Sequence, residues 1–189
     1  MDPKPASNHQ PEALKLHLLV LRCQVGDMAA FRQLYGQFNH RSLGFLKSFV
    51  SGAEAEDLNQ EIWLTVYQRI AGLANPNGFK TWLFQIARHR ALDYLRTHSR
   101  LSALYEAMEA ESEAIGLADR EITDFALSTE LSSGLDQLSA PQREVLVLHF
   151  LEGMDYEEIG LITGAAVGTV KSRMYHAKIN LKQLMKNKN

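Results

Sequence analysis

Asp155–Lys178, DYEEIGLITGAAVGTVKSRMYHAK, decides how this 189-residue chain folds. Asp155 precedes the apolar periodicity and can cap a helix, its carboxylate accepting from the free N–H groups of the first turn. Glu157 and Glu158 place negative charge in that turn, where the helix dipole favours it. Ile159 and Ile162 share one face, and Thr163-Gly164 ends the helix after about two turns. Val167, Val170, Met174, Ile179 and Leu181 supply the apolar set of a longer helix, interleaved with Lys171, Arg173, His176, Lys178 and Lys182. A short acidic helix, a glycine turn and a longer basic helix predict a helix-turn-helix.

From Gly164 to Asn189 there are six basic residues and no acid. Taken alone, such a run describes any amphipathic helix with a solvated lysine face. The acidic helix and glycine turn in front of it favour DNA phosphates as the partner, because neutralising them releases condensed counterions.

The formal charge of −2 conceals an uneven distribution. Phe79–Arg100 carries five basic residues against Asp93, a formal +4, whereas Leu101–Asp136 carries nine acids against Arg120, a formal −8. Two basic blocks separated by an acidic one point to a nucleic-acid partner better than the total does. Apolar content of 46% suffices for packed cores. Cys23 alone can build neither a disulfide framework nor a zinc site, which fits a reducing cytoplasm, and it reads as a small buried hydrophobe. No signal peptide is visible, and no stretch approaches the roughly 20 apolar residues of a membrane span.

Residues 1–12 are polar and proline-rich and are expected to be disordered. Leu14, Leu18, Leu21 and Val25 repeat at helical spacing and predict a first helix with that stripe as its apolar face. Asp27 can cap a second, built on Met28, Phe31, Leu34, Tyr35 and Phe38 and able to run on to Ser51-Gly52. In Ala53–Ile70, Leu58, Ile62, Val66 and Ile70 fall four apart as a core stripe. Asp57, Gln60, Glu61 and Leu64 then lie on other faces. Carboxylates at i and i+4 repel each other, so Asp57 and Glu61 serve either solubility or a basic partner. Ala71–Gly78 reads as a loop, with Asn75-Pro76 and Asn77-Gly78 as turn signals. Phe79–Arg96 is strongly helical, with Phe79, Leu83, Ile86, Ala87, Ala91, Tyr94 and Leu95 inward and Lys80, Gln85, Arg88, His89 and Arg96 outward. Trp82 suits either core packing or stacking on a base. The stretch 99–128 reads as a flexible acidic linker. Ser139-Ala140-Pro141 opens a helix containing Val145, Leu146, Leu148, His149 and Leu151, ended by Gly153. The fold class is all-α, with two small helical domains, 13–98 and 129–189.

The order of segments resembles an extracytoplasmic-function sigma factor, the small two-domain class of bacterial transcription initiation factor. GDMAAFRQLY, Gly26–Tyr35, is similar to the family's G-D-x-x-A-F-x-x-L-Y opening of domain two. AEDLNQEIW, Ala55–Trp63, is similar to its A-E-D-L-x-Q-E-x-[FW] core-polymerase motif. FKTWLFQIARHRALDYLR resembles the promoter-melting and −10-reading helix. The stretch from Pro141 to Lys178 resembles domain four, with its V-G-T-V-K-S-R signature.

The resemblance implies that Asp57, Gln60 and Glu61 face the clamp coiled coil of core RNA polymerase, and that the C-terminal domain meets the flap. It implies that 71–79 captures a base flipped from the non-template strand, with Asn75 and Asn77 as readers. Lys80, Arg88, Arg90 and Arg96 would hold phosphates of the −10 element, and the acidic linker would lie in the RNA path. Thr169, Lys171, Ser172, Arg173, His176 and Lys178 would serve the −35 element, with Arg173 as the bidentate guanine reader. The family often has arginine at the positions of His176 and Lys178, so −35 preference is expected to differ here. An anti-sigma factor is the implied regulator, and the C-terminus is expected to leave no room for an added regulatory domain. Catalytic residues, cofactors and metals are expected to be none. The sequence offers no phosphate-cradling glycine loop, no metal-ligand spacing and no nucleophile–base pair. A stand-alone helix-turn-helix regulator of duplex DNA is the competing reading, which leaves the acids of the third helix without a purpose.

Overall fold

The computed structural model describes residues 9–50, 52–108, 135 and 137–186, with no strand among them. The first four helices are α1 (His9–Gln24), α2 (Met28–Lys47), α3 (Gly52–Arg69) and α4 (Phe79–Met108). After them come α5 (Ala140–Leu146), α6 (Tyr156–Thr163) and α7 (Val167–Lys186). Short 3-10 turns, Ile70–Gly72 and Pro76–Gly78, connect α3 to α4, and a π-helical segment, Val147–Leu151, prolongs α5.

The N-terminal half packs on aromatics. Phe45 lies edge-on to Phe49 and Phe84, Phe38 to Phe79, and Trp63 to Phe31 and Tyr35. A buried polar chain fixes the rotation of α3 on α2. Trp63 Nε1 donates to Ser42 Oγ at 3.1 Å, Ser42 Oγ donates to Asn59 Oδ1 at 2.6 Å, and Asn59 Nδ2 donates to Asn39 Oδ1 at 2.6 Å. Each buried polar group there has a partner, so the chain specifies one packing without leaving a donor desolvated. The C-terminal half has a smaller aliphatic core of Val145, Leu148, Met154, Ile159, Ile162, Val170, Met174 and Ala177.

Expectations for the stripe of α1 and for the bounds of α1 and α4 need correction. The α1 stripe is reversed: Leu14, Leu18, Leu21 and Val25 are exposed, and Leu19, Val20 and Cys23 face the core. Both stripes have helical spacing, so periodicity alone could not choose between them. Helix α1 also begins at His9, inside the stretch expected to be disordered. Pro11 is compatible with this, because the N–H it lacks would have no intrahelical partner in the first turn. Helix α4 continues to Met108, well into the expected linker 99–128. Leu101, Leu104 and Met108 keep helical spacing, and Ala103, Glu106 and Ala107 are good helix formers. The rest of that linker, like residues 1–8, lies outside the described residues.

Candidate nucleic-acid and partner interfaces

On α3 the core stripe Leu58, Ile62 and Val66 is buried together with Asn59 and Trp63. Fixing that side inward leaves Asp57, Gln60, Glu61 and Leu64 exposed, lining one shallow depression. Arg90 of α4 approaches Glu61 at 3.7 Å, with both side chains about half exposed, so this pair is solvated and contributes little. The surface remains acidic and open.

The connection from α3 to α4 is built by local hydrogen bonds. Gln24 Nε2 donates to the carbonyls of Ile70 and Leu73, at 3.2 and 2.7 Å, pinning the first 3-10 turn to α1. Asn75 caps the second turn, its Oδ1 accepting from Asn77 N at 3.1 Å, and Pro76 occupies the first position of that turn. Asn77 Oδ1 lies 2.6 Å from His17 Nδ1. Both asparagines therefore shape the loop. Beside it an open depression is lined by Gln68, Arg69, Gly72, Leu73, Ala74 and Trp82. Trp82 is half-buried, tilted against Phe79 with ring centroids 6.2 Å apart, so one ring packs on the core and also lines the depression.

The basic residues of α4 are divided. Arg90 and Arg96 are exposed, as expected. Lys80, Gln85 and Arg88, expected to face outward, are half-buried because the C-terminal half packs over them. Arg88 Nε reaches Glu144 Oε1 at 2.7 Å, and Gln85 Nε2 donates to Leu161 O at 3.0 Å. Thr81 Oγ1 donates to Glu158 Oε1 at 3.4 Å, and Lys80 Nζ donates to the Glu152 carbonyl. Arg41 on α2 forms an ion pair with Glu152 Oε2 at 2.7 Å. Arg143, itself buried, donates to Leu135 O at 2.9 Å and across to Ser48 O at 2.7 Å, tying the start of α5 to the end of α2.

Burial governs the titration of these groups. It raises the carboxyls of Glu144 and Glu152 above the ordinary glutamate range despite the opposing pull of Arg88 on one and of Arg41 and Lys80 on the other. Burial lowers the Lys80 ammonium, with Arg41 adding to the effect. Sequence reasoning missed Glu144, Glu152, Arg41 and Arg143. The available signal was charge within PQREVLVLHFLEG, where an acid at the start and another at the end of an apolar run need buried partners.

The helix-turn-helix forms as its residues dictate. Asp155 Oδ1 accepts from Glu158 N at 2.8 Å and Glu158 Oε2 accepts from Asp155 N at 3.0 Å, a reciprocal capping box. Gly164 ends α6 at φ 68°, a left-handed conformation that glycine adopts without penalty. A Cβ on Gly160 would sit 3.0 Å from Ala165 O, so the turn closes directly against α6. On α7, Val170, Met174 and Ala177 are buried, leaving Thr169, Lys171, Ser172, His176 and Lys178 exposed. At roughly 100° per residue, Thr169, Ser172 and His176 share one strip, while Lys171 and Lys178 lie on the opposite flank. Lys178 Nζ stands 5.2 Å over the exposed Phe150 ring, a cation–π contact. Tyr175, missed in the sequence, is 63% exposed between those strips. Arg173 is half-buried at the edge of the helix and close enough to Glu144 to oppose the rise of its pKa.

No helix among the described residues is long and apolar enough to cross a membrane. Two family models match the chain: Sigma-70 region 2 over residues 34–101 and Sigma-70, region 4, over residues 128–181. The ECF RNA polymerase sigma-E factor of Escherichia coli K12 is 32% identical over 176 residues, covering 88% of this chain and 92% of that protein. The sigma-E factor of Haemophilus influenzae is also 32% identical, over 177 residues, covering 88% and 93%. Among solved structures, the sigma factor RpoE of Bartonella quintana, in complex with the anti-sigma factor NepR, is 28% identical with a TM-score of 0.65 over 82% of this chain and 96% of that one. CnrH, solved with the cytosolic domain of CnrY, shares the fold at a TM-score of 0.65 and 22% identity over 92% and 99%.

Proposed function

The chain belongs to the extracytoplasmic-function sigma factors of bacterial RNA polymerase, and on that premise we propose how its surface is divided among polymerase, promoter and regulator. It is a transcription initiation factor that binds core polymerase and directs promoter recognition, −10 through the N-terminal domain and −35 through the C-terminal one. A stand-alone regulator has no use for an exposed acidic α3.

The observation that carries the assignment is the rotation of α3. The Trp63–Ser42–Asn59–Asn39 chain turns Asp57, Gln60 and Glu61 to solvent as one face. A basic helical hairpin, the clamp coiled coil, is the partner that relieves the repulsion between these carboxylates. The depression beside Trp82 receives the flipped −10 base. Unstacking that base costs a few kcal/mol, and stacking on an aromatic ring returns about 1–3 kcal/mol. Asn75 and Asn77 then read with their amide donors, since their oxygens already hold the loop. Lys80, Arg88, Arg90 and Arg96 hold the strand's phosphates. In the major groove of the −35 element, Thr169, Ser172 and His176 point to bases or the near phosphates, Lys171 and Lys178 hold phosphates from the flank, and Arg173 reads guanine from the helix edge.

The domain bounds we propose are 13–98 and 129–189, the latter also meeting the polymerase flap. The relative solved with NepR supports control by a separate anti-sigma factor, and the cytoplasm is the setting in which polymerase is met. Core polymerase capture tests the α3 assignment. The Asp57→Ala/Glu61→Ala double variant, with helical content unchanged, is expected to lose capture that the wild type shows. Undiminished capture would place the polymerase contact elsewhere.

A further inference from the structure

We propose that His17 decides which class of base the −10 loop accepts: by holding the side-chain oxygen of Asn77, it leaves the amide N–H groups to face DNA and so selects a base that presents a carbonyl. His17 is a positioning residue that acts through Asn77, and the proposal rests on the assignment of Asn77 to the flipped −10 base made above.

Asparagine alone cannot make this choice. Its carboxamide carries an acceptor oxygen and a donor nitrogen of nearly equal size, so a half-turn about the last side-chain bond exchanges them. Only a hydrogen-bond partner fixes which arm points outward. Asn77 is exposed, and its Oδ1 lies 2.6 Å from His17 Nδ1. An amide oxygen can only accept, so the imidazole carries a proton on Nδ1 and donates it. With the oxygen turned to α1, the two N–H groups of Nδ2 project from the other arm. Thymine and guanine offer the carbonyl oxygens O4 and O6 where cytosine and adenine carry amino groups. An outward N–H pair therefore meets an acceptor on the first two bases and a competing donor on the last two.

The loop backbone does not need His17 for its shape. Gln24 already pins the first 3-10 turn through the Ile70 and Leu73 carbonyls. The second turn closes on itself: Asn75 Oδ1 accepts from Asn77 N at 3.1 Å, Gly78 N donates to Asn75 O at 2.9 Å, and Pro76 restricts the backbone between them. What His17 fixes is a side chain. His17 and Gln24 stand about two turns apart along one edge of α1, so a single helix supports the loop at one end and orients its reading group at the other. Leu16, Leu19, Val20 and Cys23 pack that helix against the core, which gives the imidazole a rigid base. The amide is thereby oriented before DNA arrives, and binding does not have to order it.

The test uses holoenzyme assembled from bacterial core polymerase and the full chain, with a pool of duplex DNA carrying a short unpaired segment of random sequence. Sequencing the bound molecules gives the base preference at every position. The wild type is expected to favour thymine over cytosine, or guanine over adenine, about fivefold at one position, the scale of a single exposed hydrogen bond. Asn77→Ala and His17→Ala should each flatten that position and leave the others as they were. His17→Asn should restore it, because the new amide nitrogen stands where the imidazole Nδ1 stood. A preference that survives His17→Ala but not Asn77→Ala would overturn the role of His17 and leave Asn77 as the reader. A profile untouched by Asn77→Ala would instead overturn the −10 assignment itself. Affinity lost uniformly across the pool in His17→Ala would reduce the imidazole to a loop anchor and overturn the proposal. Failure of His17→Asn to restore the preference, or a wild type that favours amino-bearing bases at that position or none, would overturn it too.

Discussion

Lys80 and Arg88 on α4 lie against Glu152 and Glu144, whereas Lys171, His176 and Lys178 on α7 face solvent. Both helices are basic and amphipathic, and both are assigned to promoter DNA, yet one face is covered and the other open. Composition does not separate them. What does is whether the chain folds an acid back onto the face. Helix α5 and the segment after it bring Glu144 and Glu152 to α4, and no comparable acid meets the outer strip of α7 among the described residues. Arg173 is intermediate, half-buried at the edge of α7 and close enough to Glu144 to oppose the rise of its pKa.

The comparison breaks most sharply at Arg88. Removing one partner of a buried pair leaves an uncompensated charge, at a cost of about 3–5 kcal/mol to the arrangement that buries it. Arg88→Ala is expected to part the halves, seen as a larger radius of gyration, without improving oligonucleotide binding, since the proposed phosphate ligand is lost with the ion pair. A variant that opened and bound more tightly would remove Arg88 from the −10 set.

On the open face, Arg173→Ala is expected to relax discrimination at a single −35 base pair by roughly 1–3 kcal/mol if its contact is bidentate. Fluorescence anisotropy over a set of duplexes varied one base pair at a time measures this. A uniform loss across the set would make Arg173 a phosphate contact.

The smallest effect is that of pH, and it should touch the covered face alone. Glu144 faces Arg88 and Arg173, and Glu152 faces Arg41 and Lys80; burial holds both carboxyls above their ordinary range in the closed molecule. An acid whose pKa rises on closing takes up protons on closing. Closure therefore strengthens as pH falls from the raised values toward the ordinary glutamate value of about 4.3, and gains nothing further below it. Lys80 is shifted down and releases protons on closing, so it favours closure only at the alkaline end. Scattering between neutral and mildly acidic pH should show compaction on acidification, and expansion would contradict the sign.

By itself the sequence determined the helix-turn-helix and the buried face of α3. Asp155, Glu158 and Gly164 place the bounds of α6 because capping and left-handed turns are local, requiring only a few neighbouring residues. The α3 stripe was equally legible, since Leu58, Ile62, Val66 and Ile70 leave one solution for the core face and hence for Asp57, Gln60 and Glu61. Periodicity failed on α1, where two apolar stripes satisfied the same spacing and only the surface offered by α2 and the 3-10 turn selected Leu19, Val20 and Cys23. Tertiary structure alone decided the fate of Lys80, Gln85 and Arg88. Their partners lie 56 to 76 residues away, and no local rule pairs a lysine or arginine with an acid at that separation. Burial of a charge is a property of the assembled fold, set by which surfaces meet, and it becomes visible only when the two halves are in place.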